Sequence, residues 1–390
     1  MFPRICVILL LGLTLLGGGV QRQSTPGGTF HDLLLIDHHS RSAYSPSDIA
    51  SAYGFAPLYR QGISGTGETV ALIEIDGYDV SDISTYDARY GLPAPNVTEY
   101  YVGGKRFSLQ TGSETSFDLE WLHALAPNAA VQIYYVDNSQ ILQTGWKGME
   151  DALQMAGSNG AQTISISLGS CWPGHSSVGA DAMFASLFHK GISVFVSSGD
   201  NGDHCGSQLG VSYPAGDPYV VSVGGTSLRL RGNDTIAREV AWKKSGGGRE
   251  THLLRRRWQA APTMPDGRQR WSPDVAFLGD PHTGVNYISH GQWMQAGGTS
   301  LGAPAWSAAW ALISQSLSPP SQVPGTVLQP AARSIYSIGN SSQYRATFHD
   351  VRRGSNGRYR AGPGWDAVTG WGTPNVVNLA AAVSGLEMRR

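Results

Sequence analysis

A serine framed by glycines and followed by a helix start has the chemistry to attack a carbonyl, and Gly297-Gly298-Thr299-Ser300-Leu301-Gly302-Ala303-Pro304 contains one. The glycines allow a tight turn and close substrate approach, and a helix predicted over residues 304–317 directs its positive dipole end toward Ser300. A serine that merely caps a packed helix is the plain alternative. A nucleophile also needs a base. None of the eleven histidines stands in a His-Gly-Thr-His setting, so the candidate bases are carboxylates. Glu114 and Asp118, in Gly112-Ser113-Glu114-Thr115-Ser116-Phe117-Asp118, are four residues apart and share a face if both are helical. An acidic first turn that suits the helix dipole would look the same. Asp200, in Ser198-Gly199-Asp200-Asn201-Gly202, follows an apolar run and is either a turn cap or a site residue.

The elements that must position these groups are legible from their patterning. Residues 191–198 form a continuous apolar, β-branched run of the kind that makes a buried parallel strand, and residues 163–169 and 131–136 read as further strands. A helix carrying Glu114 and Asp118 must end before Pro127. Strands alternating with helices predict an α/β fold with a mostly parallel sheet, whose sites form at the carboxyl ends of the strands.

Composition narrows the functional class. Charged residues make up 15% of the 390, below the usual share of about 25%, and there are 50 glycines, which indicates a loop-rich, weakly charged chain. The net charge is −1 and the one dense basic run, Arg255-Arg256-Arg257, is short, so neither nucleic acid nor a membrane surface is expected as a partner. Arg4, an apolar run over residues 5–16 and Gly17-Gly18-Gly19 read as a secretory signal over residues 1–20. A short tail over residues 21–43, with no full prodomain, is expected to precede one catalytic domain over residues 44–386. Cleavage of the signal removes Cys6, leaving Cys171 and Cys205. In a secreted chain these suggest a disulfide between two loops at strand ends, with two buried free thiols as the alternative.

Near the carboxyl end, His349-Asp350-Val351-Arg352 and Tyr359-Arg360-Ala361-Gly362-Pro363-Gly364-Trp365-Asp366 combine glycines with two aspartates. Such loops can gather oxygens around a hard cation, or can simply be turns.

These segments, taken in order, resemble the sedolisins, the serine-carboxyl peptidases with a subtilisin-like fold, in their kumamolisin-like form. The resemblance runs over Ser45-Pro46-Ser47-Asp48-Ile49-Ala50, Gly65-Thr66-Gly67-Glu68-Thr69-Val70, Glu114-x-x-x-Asp118, Ser198-Gly199-Asp200, Ser245-Gly246-Gly247-Gly248, Pro273-Asp274-Val275-Ala276, Gly298-Thr299-Ser300 and the segment 362–374. It implies a three-layer fold and hydrolysis of polypeptides on the acid side of neutrality. It implies Ser300 as nucleophile, Glu114 as general base and then acid, Asp118 as the carboxylate that orients it, and Asp200 as oxyanion donor. It also implies one Ca²⁺ held by the side chains of Asp350 and Asp366 and the carbonyls of Val351, Gly362 and Gly364. A secreted monomer is expected. Two departures stand out: the short tail in place of a long prodomain, and Leu168 where relatives commonly carry Trp, with Glu74 retained. Three other readings share parts of the pattern: tripeptidyl-peptidase rather than endopeptidase cleavage, a catalytically silent binding protein, and a neutral-pH subtilisin-type hydrolase. The silent protein would be expected to lack a triad member and the subtilisin type would need a histidine base.

Overall fold

The apolar runs become the parallel strands of a twisted central sheet. The computed structural model describes residues 34–36, 43–137, 146–171, 178–205, 208–317 and 328–389. The signal assigned to residues 1–20 lies outside them. In chain order the sheet contains β1 (Thr69–Glu74), β2 (Asn96–Tyr101), β3 (Ala130–Tyr135), β4 (Thr163–Ile166), β5 (Ser193–Ser197), β6 (Val221–Leu230), β7 (Ile236–Ala241) and β8 (Val275–Leu278). Its spatial order is β7-β6-β5-β4-β1-β3-β2, with β8 also paired to β6, and every pairing is parallel except β7 with β6.

Because successive strand side chains point to opposite faces, each strand feeds two cores. Val70, Leu72, Val131, Ile133 and Phe195 face one, and Ala71, Ile73, Tyr134, Val194 and Val196 face the other. The first is covered by α1 (Glu114–Leu125), α4 (Gly302–Leu317) and α5 (Val376–Glu387), through residues such as Phe117, Trp121, Trp306, Trp310 and Leu379. The second is covered by α2 (Lys147–Ser158) and α3 (Val178–His189), through Met149, Leu153, Phe184 and Leu187. This is the three-layer, subtilisin-like α/β architecture. Every residue of α1 is buried, polar ones included, which marks a central helix rather than one lying at the surface.

A hairpin of β9 (Val285–Ser289) and β10 (Gln292–Gly297) leads into the serine segment, and Leu34–Ile36 adds to the open edge of β10. Gly298 then turns the chain at φ 117°, in the left-handed region that a side chain disfavours. Four residues later Gly302 lets α4 start against the sheet, where a Cβ would fall 2.6 Å from Val223 Cγ1. Helix α4 therefore begins at Gly302, two residues before the proline that was its predicted start. Strand β4 ends at Ile166, so Ser167, Leu168 and Gly169 leave the ladder expected to hold them. Leu168 packs into the second core at 1% exposure.

Candidate active site

Parallel strands present their carboxyl ends along one edge, and the site lies there: Glu74 ends β1, Ser167 follows β4 and Asp200 follows β5. Above that edge α1 and α4 pack on each other, bringing the first turn of α1 to the start of α4. Ser300 occupies a single 3-10 turn, Thr299–Leu301, that runs directly into α4. It is fully buried, as is Asp118, and Glu114 is nearly so.

Glu114 and Asp118 lie on successive turns of α1, facing the same way as their spacing predicts. Burial first, and then the charge of Asp118, hold the Glu114 carboxyl well above the usual carboxylate range; the Ser300 hydroxyl opposes this and Asp76 and Asp200 add to it. Glu114 is thus within electrostatic reach of all these groups. No hydrogen bond of normal geometry closes the last gap: Ser300 Oγ and Glu114 Oε1 are both buried without a partner. Catalytic hydrogen bonds are often open before substrate arrives. Asp118 is raised by burial too, with relief from Ser167 and from the Glu74 carboxyl behind it. Glu74 is itself raised by burial and by the charge of Asp118.

Ser167 ties this group together. Its hydroxyl donates to Asp118 Oδ2 at 2.5 Å and lies 3.3 Å from the carbonyl oxygen of Ser300. On the other side of the serine, Asp200 Oδ1 accepts from Thr299 N at 2.8 Å and Thr299 Oγ1 at 2.9 Å, and Thr299 Oγ1 in turn accepts from Gly199 N at 3.0 Å. The serine turn is thereby pinned to the Asp200 loop. Two donors already occupy Oδ1, so a protonated Asp200 must carry its proton on Oδ2.

All four residues singled out from sequence as candidate catalytic groups meet in this cluster. Three others belong to it that sequence reasoning passed over: Ser167, Thr299 in its hydrogen-bonding role, and Asp76. Only the place of Ser167 beside Leu168, where relatives commonly carry Trp, could have drawn notice. His123, the histidine on α1, instead contacts Pro93 O at 2.8 Å and Asp87 at 3.4 Å, away from Ser300. Cys171 and Cys205 are joined in a disulfide beside the Asp200 loop, as their placement suggested.

The five residues considered for a cation also come together. Asp350 Oδ1 accepts from Gly364 N at 3.1 Å and Oδ2 from Arg352 Nε at 2.6 Å. Asp366 accepts from Gly362 N, Val368 N, Thr369 N and Thr369 Oγ1, yet burial still pushes its carboxyl up to about 6. Two carboxylates with neighbouring carbonyls are a hard oxygen set of the kind Ca²⁺ takes. Asp350 keeps lone pairs to spare, whereas one donor must turn away from Asp366 for an ion to reach it. Among the described residues no group of three or more His, Cys, Asp or Glu side chains gathers around a point that could hold a metal, so carbonyls would have to supply the rest.

Comparison with known proteins agrees with this architecture. The subtilase family model (peptidase S8) matches residues 109–372. Kumamolisin from Bacillus sp. (strain MN-32) is 32% identical over 376 residues, covering 88% of this chain and 64% of kumamolisin. Sedolisin from Pseudomonas sp. (strain 101) is 31% identical over 393 residues, covering 90% of this chain and 65% of sedolisin. The chain therefore spans just under two thirds of the length of these relatives. Tripeptidyl-peptidase 1 of Mus musculus is 27% identical over 301 residues, covering 70% of this chain and 52% of that protein. Among solved structures, Pseudomonas sedolisin, a serine-carboxyl proteinase complexed with two molecules of pseudo-iodotyrostatin, superposes with a TM-score of 0.75 at 26% identity, covering 89% of this chain and 99% of that one.

Proposed function

Because this chain belongs to the subtilase family and is a homologue of the sedolisin serine-carboxyl peptidases, we propose that it hydrolyses peptide bonds through an acyl-enzyme on Ser300. The observation that carries the reading is the convergence of carboxyls, rather than a histidine, on one buried serine at the start of a helix.

Glu114 takes the proton of Ser300 Oγ as that oxygen bonds the substrate carbonyl carbon, and returns it to the leaving amine as the C–N bond breaks. It then deprotonates the water that releases the acyl group. Asp118, held by Ser167 and backed by Glu74, fixes the orientation of Glu114 and takes up part of its charge change. Asp200, protonated on Oδ2, donates to the tetrahedral oxyanion. The productive form needs Glu114 ionised and Asp200 protonated, a combination that belongs to the acid side of neutrality, where an imidazole base would be protonated.

The substrates are polypeptides cut internally. Asp350 and Asp366, with the carbonyls of Val351, Gly362 and Gly364, would hold one Ca²⁺, which would neutralise two carboxyls and brace the carboxyl-terminal loop. The charged n-region and apolar run of residues 4–16, together with the disulfide, support secretion. Among the described residues no helix is long and apolar enough to cross a membrane. The test is digestion of an acid-denatured protein by the wild type, Ser300→Ala and Glu114→Gln, with the products mapped by mass. Both variants are expected to be inactive. Full activity in Ser300→Ala would refute the mechanism, and release of tripeptides alone would refute internal cleavage.

A further inference from the structure

Asp76 is a partly buried carboxylate beyond the end of β1 that the mechanism above does not use. Helix α1 needs a cap for its first N–H groups, and its own N-cap residue, Ser113, makes no side-chain cap hydrogen bond. Asp76 caps the helix from another segment. Its Oδ1 accepts from Thr115 Oγ1 at 2.5 Å and Thr115 N at 3.1 Å, and its Oδ2 accepts from Glu114 N at a longer 3.4 Å. The two loops are locked by Gly77 N to Gln110 O at 2.9 Å and Gly112 N to Gly77 O at 2.8 Å. Room for the carboxylate exists because residue 112 is glycine: a Cβ there would fall 1.5 Å from Asp76 Oδ2.

Building on the peptidase reading, we propose that Asp76 is a positioning residue that holds Glu114 toward Ser300 and whose charge sets the acid limit of the reaction. The groups around it are Glu74 from β1, Glu114, Thr115 and Asp118 from α1, and Tyr287 from β9, with Asp200 and Ser300 beyond Glu114. None of these is basic, so the negative charge of Asp76 is not cancelled locally. Hydrogen bonds from Thr115 Oγ1, Thr115 N and Glu114 N favour its ionised form, but burial outweighs them and holds its carboxyl above the usual aspartate value. Its charge in turn raises Glu114, Asp118 and Glu74 together. A capping carboxylate placed here makes Glu114 a stronger base and shifts upward the pH at which it becomes available.

The test is the pH dependence of kcat/KM for the wild type, Asp76→Asn and Thr115→Val on one peptide substrate. Asp76→Asn keeps an acceptor for Thr115 and removes the charge, and Thr115→Val removes a donor that keeps Asp76 ionised. The acid limb is expected to move to lower pH by about 0.5–1 unit in Asp76→Asn and by less in Thr115→Val. At the wild-type optimum kcat/KM should fall by about tenfold as the cap weakens. Acid limbs that superpose on that of the wild type overturn the proposal, whatever happens to the rate. If Asp76→Asn does not fold, Thr115→Val decides alone. Ser300→Ala separates the two readings: activity that survives it overturns both, whereas an unshifted limb in a Ser300-dependent enzyme removes only the role of Asp76.

Discussion

Replacing Asp200 gives the sharpest test of the proposed chemistry, because alanine and asparagine have opposite consequences. Asp200 Oδ1 is occupied by Thr299 N at 2.8 Å and Thr299 Oγ1 at 2.9 Å. Asp200→Ala removes the proposed oxyanion donor and strips Thr299 of its acceptor. Loss of one such donor costs about 2.7–4 kcal/mol of transition-state stabilisation, so kcat should drop by about 100- to 1,000-fold. The orphaned Thr299 N–H adds about 1–3 kcal/mol of lost stability, visible as a thermal midpoint lower by a few degrees. Asp200→Asn preserves the acceptor for Thr299 and puts an amide N–H₂ where the acidic proton stood. That donor cannot be lost by ionisation, so the fall in rate at higher pH, where a carboxyl surrenders its proton, should flatten. The assay is initial rate on a chromogenic peptide between about pH 3 and pH 8, with circular dichroism to check folding. Two results refute the reasoning. One is a kcat for Asp200→Ala close to that of the wild type; the other is an Asp200→Asn profile that declines at the same pH as the wild type.

Other predictions concern Ser167 beside Asp118, Glu68 before β1 and the candidate cation loop. Ser167→Ala leaves Asp118 Oδ2 without its 2.5 Å donor, a charge-assisted bond worth about 1.5–3 kcal/mol, so kcat/KM should fall about 10- to 100-fold while the far-ultraviolet spectrum is unchanged. A kcat/KM equal to that of the wild type would show that Ser167 does not orient Asp118. Stability should decline toward neutral pH. Burial lifts Glu68 from 4.5 to about 7, so the folded state binds its proton more tightly, a stabilisation that is full below the unfolded value and lost as pH rises through the folded one. From this residue alone the loss is at most about 3 kcal/mol. Urea midpoints measured across that window should fall with rising pH, and midpoints that rise would reverse the sign of the argument. A calcium chelator should lower the thermal midpoint of the wild type and have no further effect on Asp350→Ala, whereas chelator-insensitive melting of the wild type would remove the proposed ion.

Much of the framework can be read from local pattern, and its errors have local causes. The apolar run 191–198 contains β5, Ser193–Ser197, because continuous β-branched residues suit a strand buried on both faces. The helix bearing Glu114 ends at Leu125, close to the proline that forbids its continuation. The strand read over residues 163–169 stops early at Ile166 because Ser167 turns to serve Asp118 and Leu168 enters the second core, choices no strand propensity contains. Helix α4 starts two residues before Pro304 because Gly302 can lie against Val223, a packing fact rather than a sequence signal.

The order of residues alone supplies the groups available for chemistry: a serine at a glycine turn, two carboxyls one helical turn apart, an aspartate beyond a buried strand, and two cysteines beside strand ends. Spacing along one element is a local property, so the shared face of Glu114 and Asp118 needed no fold to be inferred. Tertiary structure alone decided who meets whom. Ser167 joins Asp118 from 49 residues away and Ser300 from 133, Asp200 pairs with Thr299 across 99, and Asp76 caps α1 across 38. Those contacts arise because parallel strands deliver their carboxyl ends to one edge and two buried helices close over it. A hydroxyl or carboxylate acquires its function there from the donors, charges and burial that distant parts of the chain provide.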